Sequence, residues 1–386
     1  MAPEPHKDPL LAWRAEFPIV ETCTYLVSHS LGAMPKSVRA ELSQFADEWG
    51  NRGVRAWHEG WWEIGRETGN LLSPILGVAR ETITMHQNAT VAQLIAASCL
   101  DFSGPRNKIV LQDLDFPTNH YLFEGFRKQG AEIVYVKSDN RIKAPIDRLV
   151  EAIDERTLLV PISLVLFRSA CVQDVKPVIE KAHRVGARVI LDIYQAAGTI
   201  PLDLAALGAD FAVGGSVKWL CGGPGAGYLY VRPDLIAELK PANVGWAGHA
   251  APFAFETGAI RYADGVERFQ SGTPNVPSLY SARAGYKIVG KIGVPAIREK
   301  SLRLTRKLMD SANRRGWKLN TPPDDNERGG SVVIDVPNGA AVAQELIKRE
   351  VIIDHRPDAG IRIAPHFYST DDEIDRAVAT LEELSQ

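Results

Sequence analysis

Cysteine is scarce in this sequence: Cys23, Cys99, Cys171 and Cys221 are the four in 386 residues, and no two form a C-x-x-C pair. That spacing excludes a zinc ribbon and a disulfide framework, and it fits a reducing, cytoplasmic compartment. Long apolar runs are missing as well. None approaches the roughly 18 residues that a membrane span needs, and the opening MAPEPHKDPLLAWRAEF lacks an apolar stretch of signal-peptide length. The chain is therefore expected to be soluble and unexported. Charge of one sign is lacking too. The formal net charge is −3 with acids and bases interspersed, which provides neither a basic stripe for nucleic acid nor an acidic tail. No H-E-x-x-H spacing occurs and His58-Glu59 stands alone, so no metal site is expected. Repeats, low-complexity tracts and Pro/Ser linkers are also absent.

What is present is an ordinary globular composition, 45% hydrophobic over a length that suits two to three domain-sized units. From about Asn107, short apolar runs alternate with amphipathic stretches: KIVLQ, AEIVYV, TLLVPISLVLF, RVILDI, FAVGG and GYLYV, separated by patterns such as DVKPVIEKAHRVGA. Runs of this length bounded by Gly, Asp or Pro predict buried strands of a largely parallel sheet in an α/β fold. Past about Ser281 the texture changes. A long basic amphipathic helix (LYSARAGYKIVGKIG through REKSLRLTRKLMDSANRRG) leads to SVVIDV, the helix AAVAQELIKREV and the strand GIRIAP, a smaller α+β unit. The expected division is an N-terminal arm (1–48) packing on the small unit, a large domain (49–282) and a small domain (283–386).

The segment GGSVKWLCGGPGAGYLYV places Lys218 in a glycine-rich turn between two strands, downstream of Asp192, which ends another strand. The glycines are not a nucleotide loop, because the run lacks G-x-x-x-x-G-K-[ST] and precedes a strand where a phosphate turn opens a helix. Asp192 and Lys218 both fall at the carboxyl edge of the predicted sheet, where ligands collect. An amine and a carboxylate there suit pyridoxal phosphate: its aldehyde needs a lysine for a Schiff base and its ring nitrogen needs a carboxylate partner. Spacing alone also allows Asp192 to be a helix cap and Lys218 a surface residue.

YLVSHSLGAMP, DEWGNRGVRAWHEGWW, FPTNHY, DIYQAAGTIPLDL, GGSVKWLCGGPGAG, GWAGH, SGTPNVPSL and IRIAPHFYS occur in the order of similar segments in the kynureninases. The chain thus resembles that family, in the class V aminotransferase group of fold type I pyridoxal phosphate enzymes. The resemblance implies a fold type I large domain with a mostly parallel sheet of the seven-stranded type, and a smaller α+β domain. It implies that Lys218 carries the cofactor, that Asp192 faces its ring nitrogen, and that Ala89 and Thr90 cradle the phosphate, in agreement with anion binding at helix N-termini. Phe116 would cover the ring, although a Phe before Pro is also simple core. Gln195 and Ser216 match cofactor-contact positions. Trp246 and Thr273 match residues that reach the phosphate of a neighbouring subunit, which implies a homodimer with shared sites. Arg362 matches an arginine that clamps the carboxylate of an amino-acid substrate, with a surface salt bridge as its alternative. Ser30, Asn119 and Arg168 fall at substrate positions, and Arg168 would favour a second anionic group unless it is only a loop residue.

The departures concentrate in the substrate shell. Gln195 stands where the family has histidine, Val217 where it has the tyrosine before the lysine, and Asn119 where it has aspartate; LVLFRSA replaces a polar segment containing a tyrosine and a lysine. Valine cannot donate a proton. The expected activity is that of a kynureninase-like hydrolase or related carbon-carbon or β-lyase on a small amino acid. The alternatives are a class V aminotransferase and a non-catalytic paralogue.

Overall fold

The computed structural model describes residues 8–385; the expected arm's residues 1–7 and the terminal Gln386 lie outside them. Among the described residues the strands in chain order are β1 (Thr24–Tyr25), β2 (Ile83–His86), β3 (Lys108–Gln112), β4 (Glu132–Val136), β5 (Thr157–Ser163), β6 (Arg188–Asp192), β7 (Phe211–Gly215), β8 (Gly227–Val231), β9 (Lys318–Leu319), β10 (Val332–Asp335), β11 (Val351–Ile352), β12 (Asp354–Arg356) and β13 (Gly360–Ile363). Seven of them form one sheet in the order β2-β8-β7-β6-β5-β3-β4. The members from β7 to β4 are parallel, and β8 runs antiparallel to both β7 and β2. The apolar runs are continuous because both faces are covered. Val110, Val160, Val189 and Ala212 enter the core on one side, and their neighbours Ile109, Leu159, Ile190 and Phe211 enter the core on the other.

β3 and β5 are adjacent while β4 lies outside β3, so the strand order reverses between β3 and β5. At such a reversal the loops after the parallel strands diverge and leave a crevice. Asp115, Ser163 and Asp192 all sit at or just past the carboxyl ends of β3, β5 and β6.

The smaller unit is a four-stranded antiparallel sheet, β12-β13-β10-β9, backed by helices that share a separate apolar core containing Leu304, Leu308, Ile334, Ile361 and Leu381. Leu26 of the N-terminal segment joins that core, and β1 pairs in parallel with β11. Two readings need correction. The single long basic helix is two, Val276–Ile292 and Val294–Arg314, because Gly293 takes φ 85 and Pro295 follows in the first turn of the second helix. The strand β2, ITMH, was not anticipated, since four residues before a helix give little periodicity. The expected division after residue 282 falls within the helix Val276–Ile292.

Candidate active site

Lys218 lies just beyond β7 in a turn closed by Ser216 N–H to Ala226 O (3.0 Å) and Gly222 N–H to Ser216 O (2.8 Å), with Cys221 N–H to Lys218 O (3.0 Å) inside it. Left-handed backbone at Cys221 (φ 52), Gly223 (φ 73) and Gly225 (φ 93) reverses the chain. Glycine takes this conformation without the steric cost a Cβ would add. A second glycine acts from a distance. At Gly32 a Cβ would sit 2.0 Å from the Lys218 carbonyl oxygen, so only glycine lets the N-terminal segment lie against the turn, where Gly32 N–H bonds Val217 O at 2.7 Å. The lysine is framed by glycines because two backbone segments must approach it closely.

The Lys218 side chain enters a cavity of about 230 Å³ whose lining includes Ala89, Thr90, Phe116, Asp192, Tyr194 and Gln195. Its Nζ lies 4.3 Å from the Tyr194 ring centroid and 5.7 Å from that of Phe116. Among the described residues it has no ion-pair or hydrogen-bond partner. Burial lowers its pKa from the ordinary amine range, and the Asp192 charge only partly opposes this. Asp192 Oδ1 accepts the Tyr194 N–H at 2.9 Å. Burial pushes its carboxyl up, and nearby Asp115 adds to the effect. Asp115 itself accepts from Gln112 Nε2 (2.9 Å) and Ser163 N–H (3.0 Å), leaves Oδ2 unpartnered, and is raised by burial to about 6.

The start of the helix Ala89–Ala97 also lines the cavity. Asn88 caps it by accepting Val91 N–H at 3.0 Å. The amides of Ala89 and Thr90 precede the first intrahelical bond and carry the positive end of the helix dipole. An amine without a partner, a buried carboxylate and a helix N-terminus on one cavity match the aldehyde, ring nitrogen and phosphate of pyridoxal phosphate. The residues present therefore fit the cofactor.

The other expected residues divide. Gln195 reaches the lining, with its Nε2 donating to His29 O (3.0 Å) and its Oε1 accepting from Trp219 Nε1 (3.0 Å). Ser216 is buried behind the lysine turn, bonded to Ala226 O at 2.5 Å and to the Tyr286 hydroxyl. Asn119 is buried behind the wall, accepting from Gln93 Nε2 at 2.9 Å. Arg362 does not line the cavity but donates to the backbone oxygen of Phe167, which does; it is 3% exposed and paired with Asp354, so it is a salt bridge, buried and not on the surface. Ser30 belongs to the segment against the lysine turn but does not line the cavity. Arg168 lines a different cleft, of about 300 Å³, with Arg141, Lys318 and His355. Trp246 and Thr273 stay outside the cavity: Trp246 is exposed in an aromatic group with Trp62, Phe253 and Phe255, and Thr273 lies in a crevice beside Gln87 and Gln270.

The aminotransferase class-V family model matches residues 24–376. The chain belongs to that family. It is 31% identical to kynureninase of Pseudomonas fluorescens, over 98% of this chain and 93% of the relative. It is 33% identical to kynureninase of Deinococcus radiodurans, over 97% and 92%. Among solved structures it superposes on the cysteine desulfurase of Thermococcus onnurineus NA1 with a TM-score of 0.86 at 19% identity, covering 99% of both chains. A second match is the cystine C-S lyase C-DES bound to its product cysteine persulfide, with a TM-score of 0.85 at 21% identity over 96% of this chain and 100% of that one. The fold is that of the fold type I enzymes, and this family member is a pyridoxal phosphate-dependent enzyme.

Tyr194, Asp115 and Asp354 escaped the sequence reading. Tyr194 stands two residues past Asp192, where a strand end turns back over the cavity. Asp115 precedes the FPTNHY segment, but an aspartate after a strand is also an ordinary turn residue. Asp354 lies on β12, three residues with no pattern of their own, so nothing local marked it as the partner of Arg362.

Proposed function

We propose that this enzyme is a kynureninase-type carbon-carbon hydrolase or related β-lyase acting on a small amino acid. The observation that carries the reading is the partnerless Lys218 amine between Tyr194 and Phe116, on the same cavity as Asp192 and the Ala89-Thr90 helix start. When bound, pyridoxal phosphate supplies an electron sink for charge developing at the substrate α-carbon. Lys218 would hold the cofactor and then act as the base that takes the α-proton, a role its lowered pKa favours. Asp192 would stand against the ring nitrogen as a carboxylate, the Ala89 and Thr90 amides would bind the phosphate, and Phe116 would cover the ring. Arg362 uses three of its five donor hydrogens on Asp354 and the Phe167 carbonyl. The remaining two are the ones with which it would take a substrate carboxylate.

The distal end of the site differs from that of the kynureninases. Val217 removes a hydroxyl and Gln195 an imidazole, and Gln195 has both ends of its amide committed to His29 and Trp219. Tyr194 is the phenol on the lining, and burial raises its hydroxyl to about 12, so it can donate a hydrogen bond but ionises little at neutral pH. Losing a positioned acid or base costs roughly 10²- to 10⁴-fold. Slow cleavage of kynurenine and a different preferred distal group are expected. A comparison of kynurenine, 3-hydroxykynurenine and acidic and sulfur-containing amino acids tests this. Anthranilate release with kcat/KM above roughly 10⁴ M⁻¹s⁻¹ would refute it.

Transamination is the second reading, because Lys218 is the basic side chain on the lining and one base suffices to move a proton between two carbons; a dependence of turnover on an added α-keto acid would favour it. Trp246 and Thr273, both outside their own chain's cavity, support a homodimer in which each completes the partner's phosphate site. The arm (1–48), large domain (49–282) and small domain (283–386) would then supply, respectively, the seam, the cofactor and the carboxylate clamp. Among the described residues no helix is long and apolar enough to cross a membrane, and a cytoplasmic location is proposed from the four unpaired thiols.

A further inference from the structure

We propose that His29 is a positioning residue for substrate-carboxylate recognition, acting through Asp354 to hold the Arg362 guanidinium in one orientation. The inference rests on the reading of Arg362 given above.

Asp354 and Arg362 are directly opposed in the antiparallel β12-β13 ladder, so their side chains share a face. Arg362 Nε donates to Asp354 Oδ1 at 2.7 Å, Nη2 to Oδ2 at 2.5 Å, and Nη1 to Phe167 O at 2.7 Å. Asp354 has a second suitor. Arg356 Nη2 lies 2.9 Å from the same Oδ2 that Arg362 uses, and its side chain is 40% exposed. A carboxylate that rotated toward Arg356 would give up the two-point geometry that aims Arg362.

His29 prevents that rotation by holding the other oxygen, with Nε2 3.0 Å from Asp354 Oδ1. It reaches this place because the N-terminal segment is stitched to the end of β13: Val27 bridges Ala364, and Ala364 N–H bonds Leu26 O at 2.7 Å. The imidazole is buried, and the backbone carbonyl oxygen of His29 accepts from Gln195 Nε2 at 3.0 Å. Three donors face Asp354, which therefore stays ionised, well below the usual carboxylate range. The hydrogen between the two groups must then sit on Nε2, and burial keeps the ring neutral with a pKa near 4. Nδ1 is left as a bare acceptor without a partner. Gln195, which stands where the family's histidine would be, anchors this different histidine.

The test uses the cofactor-loaded protein and the ratio of its affinities for L-alanine and L-alanine methyl ester, measured by calorimetry, together with KM and kcat for the best substrate found. His29→Leu removes the donor to Asp354 and should collapse the acid-over-ester preference by more than tenfold, raising KM while kcat changes little. His29→Gln, whose amide can reach Asp354, should restore the preference to within about threefold. Histidine ¹⁵N NMR of the parent should show His29 protonated on Nε2 only. Equal damage in Gln and Leu variants of equal melting temperature, or a proton on Nδ1, would overturn the proposal. Arg362→Leu separates the two readings. If it leaves the acid-over-ester ratio intact, the assignment of Arg362 fails; if it collapses the ratio while His29→Leu does not, only the role of His29 fails.

Discussion

The two charged clusters around this cavity are built on opposite plans. At the sheet edge, Lys218 and Asp192 share a cavity without bonding to each other, and burial disfavours the charged form of both. At the seam between the N-terminal segment and the small sheet, Arg362 and His29 are buried and Asp354 half-buried, and they are bonded to one another and to the backbone. The physical difference is compensation. A buried charge left without a partner costs stability, and such a cost is tolerated where the group must be free to react. A charge that must only aim at something can be fully paired. On the roles proposed above, the sheet edge would serve chemistry and the seam orientation.

Variants can sharpen or break that contrast. Lys218→Ala should lower turnover by roughly 10⁴-fold yet leave the melting temperature of the cofactor-free protein unchanged or higher, because it removes a half-buried amine that has no ion-pair partner among the described residues. Borohydride reduction followed by peptide mapping of the parent should place the cofactor on the Lys218 peptide, and an adduct elsewhere would end the assignment. Asp354→Ala should behave in the opposite way. Leaving Arg362 buried and unpaired, with the Arg356 cation still beside it, should cost about 3–5 kcal/mol of stability, read by denaturant unfolding, and a neutral result would mean that water or a solvent anion takes the place of the lost carboxylate. Asp192→Asn should retain cofactor and fold while losing about 10²-fold in turnover, since a carboxylate at the ring matters where charge develops. Turnover equal to the parent's would return Asp192 to a capping role.

The smallest effect is in acid stability. His29, His86 and His366 are held near 4 by burial, below the ordinary value of about 6.5. The unfolded chain therefore takes up protons that the folded one refuses, and stability should fall as pH drops from 6.5 toward 4. Asp115, raised to about 6, does the reverse: its folded carboxyl binds a proton first and gains stability over the same window. Asp115→Asn should then steepen the acid loss of the cofactor-free protein by up to about 1.4 kcal/mol per pH unit. An unchanged slope would show that Asp115 is ionised in the fold.

Much of this was legible beforehand, for physical reasons. β3 to β8 each read as an unbroken apolar run because both faces of the sheet are buried, which is why all six were found, whereas β9, β11 and β12, of two or three residues, are too short to carry a pattern. Asp192 and Lys218 were visible because strand ends and glycine turns mark the chain locally. Asn119, Ser216 and Arg168 lay close to the correct segments, but a linear reading cannot say on which side of a wall a side chain falls. Asn119 turned inward to Gln93, Ser216 to Tyr286 and Arg168 to the neighbouring cleft.

The amino-acid sequence by itself determined the α/β class, the strand ends that carry Asp192 and Lys218, the helix start at Ala89 and Thr90 and the family, because each depends on residues close together in the chain or on motifs in register. Only the tertiary structure decided that Tyr194 lies under the lysine, that Arg362 is enclosed and paired, and that His29 closes on Asp354 across 325 positions. Those contacts depend on where β13 and the N-terminal segment meet, and that meeting is fixed by the packing of whole elements, which no local spacing records.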